Sequence, residues 1–92
     1  MILILTDSWP GYWGAGETEE EALANLRAAG GRPSKTGTIR FLINEAYEEA
    51  SVDGMGTVSA QYKGDPDDAK RPPIFDEAWR VGPRGKRTRI HP

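Results

Sequence analysis

Ile2-Leu3-Ile4-Leu5 is an unbroken apolar run, short and half β-branched, which predicts a buried strand over about residues 2–6. Asp7-Ser8-Trp9-Pro10-Gly11 follows with turn chemistry: Pro fixes φ, Gly accepts positive φ, and Asp and Ser bond nearby backbone. Tyr12-Trp13 reads as a second short strand ahead of Gly14-Ala15-Gly16. The apolar spacing then changes. Ala22, Leu23, Leu26 and Ala29 recur at helical intervals. Thr18 stands where an N-cap belongs, and Glu21 three residues later completes a capping box. Glu19 and Glu20 sit in the first turn, at the positive end of the helix dipole. Gly30, Gly31 and Pro33 stop the helix, which is therefore predicted over 18–29.

Thr38-Ile39-Arg40-Phe41-Leu42-Ile43 alternates so that Ile39, Phe41 and Ile43 share a face, predicting a strand over about 38–44. Residues 44–51 have two readings. Asn44 could cap a short helix, or the strand could run on to a hairpin turn at Asp53-Gly54; the turn dipeptide between two pairable runs favours the hairpin. The return strand falls at about 56–62. Residues 64–73 are polar, carry three prolines and show no apolar period, which marks a loop. Beyond it, Phe75, Trp79 and Val81 point back toward a core, with strands at 78–81 and 86–90 on either side of Gly82-Pro83-Arg84-Gly85.

The chain thus divides into an α+β core (1–63), the loop (64–73) and a C-terminal segment (74–92) that either docks as a hairpin or forms a free arm. The expected class is α+β, with one main helix on a small mixed or antiparallel sheet. The stretch between the first strand and Thr38 is long enough for a right-handed βαβ crossover.

A length of 92 residues fits one domain with a modest core. Eleven glycines and seven prolines give loops and turns a large share. The absence of cysteine excludes disulfides, thiolate nucleophiles and Cys-based zinc sites. The apolar start is too short for a signal peptide or membrane span, so a cytoplasmic protein without membrane attachment is expected. The net charge of −2 conceals an asymmetry: all fourteen Asp and Glu precede residue 80, while Arg80, Arg84, Lys86, Arg87 and Arg89 follow with no acid among them.

Catalytic chemistry finds little purchase, and no enzyme activity, metal or cofactor is expected. The one histidine is His91, beside the C-terminus, where a nucleophile–base pair would be hard to hold. Gly30-Gly31-Arg32-Pro33-Ser34-Lys35-Thr36 resembles a phosphate loop but follows a helix and has Ser34 in place of the second glycine. Gly11, Gly14 and Gly16 precede a helix start, yet Glu17, Glu19, Glu20 and Glu21 would repel a phosphate there.

Two features point to binding. Arg80, Arg84, Lys86, Arg87 and Arg89 offer a grip on nucleic acid, or else pair with the acidic body. Trp9, Tyr12 and Trp13 could anchor a protein partner from a loop, or cover the open face of a small sheet. Residues 11–26, through Gly16, Thr18, Glu20, Glu21, Ala22, Leu23 and Asn25, resemble the helix-start segment of HicB-type antitoxin domains. That resemblance implies a small α+β fold with a helix on a sheet and a protein- or RNA-related partner. The chain also resembles, in general style, small accessory proteins of phages and plasmids. The expectation is a non-catalytic interaction protein, phage- or plasmid-encoded, that binds and modulates a host macromolecule. A host protein is favoured, contacted by Trp9, Tyr12, Trp13, Glu17, Glu20 and Glu21; the alternative is a nucleic-acid-binding module using the basic C-terminus.

Overall fold

A computed structural model describes residues 1–8 and 11–91, the last by its backbone alone. Strand β1 (Ile2–Thr6) lies between β2 (Trp13–Gly16) and β3 (Thr38–Ile43), antiparallel to both. Strands β6 (Phe75–Val81) and β7 (Arg87–His91) extend the sheet, giving the order β2-β1-β3-β6-β7. Every pairing is antiparallel. The βαβ crossover expected between β1 and β3 is therefore absent. Strand β2 turns the chain around before helix α1 (Glu19–Ala28), so β3 comes back against β1 in the opposite sense.

Cross-strand partners share a face, which sorts the side chains. Ile2, Ile4, Gly14 and Gly16 face one way, and α1 covers them with Ala22, Leu23 and Leu26. Leu3, Ala15 and Phe41 face the other way. There they meet the hairpin of β4 (Tyr47–Val52) and β5 (Val58–Tyr62), which contributes Tyr47, Ala50, Val58 and Ala60 to a second core. Strand β1 is buried on both faces, and this is why its apolar run is continuous instead of alternating.

Residues 44–51 resolve in favour of the hairpin, though the strand does not run straight on. Asn44 ends β3 in an Asx turn: its Oδ1 accepts from Ala46 N–H (2.9 Å) and its carbonyl from Tyr47 N–H (3.0 Å). The capping chemistry that could have started a helix is spent on this turn. Strand β4 carries a bulge between Glu48 and Ser51, where Glu49 takes positive φ (53°). The 64–73 loop is tied down where it passes the hairpin: Tyr47 Oη donates to the Pro72 carbonyl (2.5 Å), Tyr62 Oη to Asp68 (3.3 Å), and Arg71 lies over the Tyr62 ring.

Helix α1 begins as its sequence dictates. Thr18 is extended and its Oγ1 accepts from Glu21 N–H at 3.1 Å. A second, four-residue helix, α2 (Pro33–Thr36), was not expected; Pro33 stops α1 and then serves as the first residue of α2, where its missing N–H costs nothing. No helix among the described residues is long and apolar enough to cross a membrane.

Candidate interaction surfaces

The first surface lies along β2, which is an edge strand. Gly14 and Gly16 have no side chains to hold the helix away, so α1 rests directly on the strand backbone. A Cβ on Gly14 would lie 2.3 Å from Leu26 N and 2.5 Å from the Ala22 carbonyl oxygen. Asn25 reaches over the edge and donates to the Ala15 carbonyl at 2.7 Å. Beside this contact runs a groove of about 500 Å³, lined by Tyr12, Trp13, Asn25 and Ala29 among others. Tyr12 is 40% exposed, one of few large apolar side chains so open. Its backbone is fixed by buried Thr6, whose N–H donates to the Tyr12 carbonyl and whose Oγ1 accepts from Tyr12 N–H, both at 2.8 Å.

The aromatic cluster divides. Tyr12 opens to solvent, while Trp13 is half-buried against the hairpin-side core. Trp9 lies outside the described residues. Gly16 would place a Cβ within 2.8 Å of Glu21 Cβ, so the acidic helix start adjoins the far end of the strand. Glu17, Glu20 and Glu21 are exposed and have no ion pair among the described residues. Glu19 is different: it turns toward the sheet and binds Arg40 (2.5 Å) and Arg87 (3.2 Å). Glu48 and Glu49 belong to the hairpin on the opposite face of the sheet from α1 and so do not extend the acidic helix start.

Arg40 is the charged residue that pattern reading passed over. It is only 8% exposed, and it donates from Nε to Thr38 Oγ1 (3.2 Å) as well as to Glu19. Its interruption of an apolar strand was the visible signal. Burial alone would raise the pKa of Glu19; the hydrogen bond and charge of Arg40, with those of Arg87, outweigh it and hold the carboxyl below its ordinary value.

The basic C-terminal residues are also dispersed. Arg80 binds Asp7 (2.9 Å) and Arg89 binds Glu77 (2.7 Å). Arg87 binds Glu19 and lies 5.9 Å from the Trp79 ring centroid. Arg87 and Arg89 are cross-strand partners of Val81 and Trp79, whereas Arg80 pairs with Thr88 and so faces the other side. Arg84 and Lys86 occupy the β6–β7 turn, with no ion pair among the described residues. The backbone of His91 pairs with Ala78. Among the described residues, no three Asp, Glu or His side chains are grouped to hold a metal ion.

No family model, curated protein or solved structure matches this chain.

Proposed function

We propose that the protein is a non-catalytic interaction module that uses the β2–α1 surface to bind a basic segment of a partner protein. The reading is carried by one juxtaposition. An open groove with an exposed aromatic, Tyr12, runs along an edge strand and ends beside three glutamates that have no counter-charge among the described residues. Tyr supplies a rigid anchor that loses little entropy when it is covered. Glu17, Glu20 and Glu21 select for positive charge and reject acidic surfaces. A partner that normally uses its basic surface to hold nucleic acid would be blocked by such an occupant, which gives the module a means of inhibition.

The test uses two labelled strand-forming peptides, one alternating valine with lysine and one alternating valine with glutamate. The lysine peptide binds. Tyr12→Ala and, independently, Glu17→Gln/Glu20→Gln/Glu21→Gln each weaken it about tenfold or more, as expected for an anchor and a charge cluster worth over 1.4 kcal/mol each. Equal binding of the glutamate peptide, or affinities indifferent to both variants, overturns the proposal.

A further inference from the structure

Of the lysines and arginines without an ion pair among the described residues, Lys63, Lys70 and Arg71 lie in or beside the 64–73 loop, and the other five, Arg27, Arg32, Lys35, Arg84 and Lys86, belong to α1, α2 with its N-cap, and the β6–β7 turn. Gly37, which follows α2, takes a φ of 77° and packs on the β6–β7 turn; a Cβ there would lie 2.9 Å from the Val81 carbonyl and 3.3 Å from Gly82 Cα. That contact sets α2 against the turn. The turn is itself closed, with Gly82 N–H donating to the Lys86 carbonyl (2.9 Å) and Gly85 N–H to the Gly82 carbonyl (2.9 Å). Between them is a shallow cleft of about 190 Å³, walled by Arg27 of α1, Pro33 and Ser34 of α2, and Gly82, Pro83 and Gly85. Arg32 and Lys35 directly flank the α2 wall, and Arg84 and Lys86 belong to the turn. All five cations are exposed.

No carboxylate lines this cleft. Glu19 of α1 is engaged by Arg40 and Arg87, and Asp7 by Arg80, whereas Glu20 and Glu21 of α1 have no ion pair among the described residues and are absent from the cleft lining. Arg27, Arg32, Lys35, Arg84 and Lys86 have no ion pair among the described residues. Five like charges held on two packed turns and a helix end repel one another, and a polyanion relieves that repulsion. The cleft lining includes Leu23 and Val81, but among the described residues none of the large apolar side chains that stand exposed, Tyr12, Met55 and Ile90, belongs to it. The arginines supply planar forks that match phosphate oxygens.

We infer that this end of the molecule, formed by the α1 C-terminus, α2 and the β6–β7 turn, is a binding site for the phosphate backbone of nucleic acid. The cleft shares no lining residue with the β2 groove, although both adjoin α1, and the inference stands whether or not that groove binds protein. The site also differs from a grip by the C-terminal basic run alone, because three of its five cations precede residue 36.

The experiment is an anisotropy titration of the full chain against a short labelled duplex DNA and the matching single strand, across about 50 to 200 mM salt. Five phosphate contacts predict a slope of log affinity on log salt of about −4 for the duplex, a loss of about 10²–10³-fold over that range. Arg32→Ala/Lys35→Ala and Arg84→Ala/Lys86→Ala each make the slope shallower by about two. The charge-conserving Arg32→Lys/Lys35→Arg retains it, which separates lost charge from lost structure. Lys63→Ala/Lys70→Ala, in and beside the 64–73 loop, leaves it unchanged. The site is refuted by salt-insensitive or absent binding, by an effect confined to the 84/86 pair, or by an equal effect from the 63/70 pair. Displacement of the probe by polyglutamate as readily as by unlabelled DNA of equal charge would place an acidic protein there and equally refute it.

Discussion

Glu19 and Arg40 show how one buried cation organises its neighbours. Arg40 enters the sheet from β3, and Glu19 at the helix start binds it with a carboxylate. The low pKa of Glu19 means that folding favours its ionised form. The folded state then binds fewer protons than the unfolded chain in the acid range, so this contribution is fully present above the ordinary carboxylate value of 4.5 and is lost as pH falls through the folded pKa. Glu19→Gln leaves Arg40 without its counter-charge. Since the Glu19 side chain is 36% exposed, water screens part of the loss, and a cost of about 1–2 kcal/mol is expected at pH 7. The difference in melting temperature between variant and parent should shrink toward zero as the pH is lowered through the acid range, where both side chains are neutral. A difference that stays constant with pH would show that the pair is not what the substitution removes. Half of this pair was legible in the sequence, because an arginine amid Ile39, Phe41 and Leu42 needs a partner. The identity of that partner, 21 residues away, was not.

The secondary elements were read with uneven success, and the glycines explain much of the difference. Thr18 and the Ala22/Leu26 spacing announced α1 because capping and apolar period are local properties. Gly14 and Gly16 looked like turn residues, whereas both lie in β2. A glycine in a sequence does not disclose whether it is there for its φ or for its lack of a Cβ, and here the second holds: α1 sits on the strand at backbone distance. Gly14→Ala must push the helix off the strand or bend it, and should cost about 1–3 kcal/mol. Gly54→Ala, at the hairpin tip with nothing within 4 Å, should change stability by no more than about 0.5 kcal/mol. Urea unfolding of the two variants side by side makes the comparison. Equal effects would mean that close approach is not what Gly14 provides. The same packing bears on binding, since a displaced helix would reshape the Tyr12 groove and move Asn25 from the Ala15 carbonyl.

The path of the chain through the whole sheet was the least legible feature. Local pattern marks strands but does not say which ones pair. The order β2-β1-β3-β6-β7 depends on the hairpin leaving the sheet at Asn44, which frees the outer edge of β3 for a strand more than thirty residues later. Strand β6 is thereby an inner strand, and β7 is what keeps it so. Deleting residues 82–92 would remove the pairing partner of Trp79 and Val81, both half-buried or buried, and would free Glu77 and Glu19 from Arg89 and Arg87. Surface ion pairs of this kind contribute about 0–1 kcal/mol each, so most of the damage should come from the exposed β6 edge and its apolar side chains. We expect the truncated chain to unfold at lower urea and to associate as concentration rises, in contrast to Arg84→Ala/Lys86→Ala, which should leave stability within about 0.5 kcal/mol of the parent. Denaturant melts with sedimentation analysis distinguish the two outcomes. A truncation as stable and monodisperse as the parent would mean that β7 is dispensable, and the cations of the β6–β7 turn would then lack the rigid mounting that a phosphate site at this end requires.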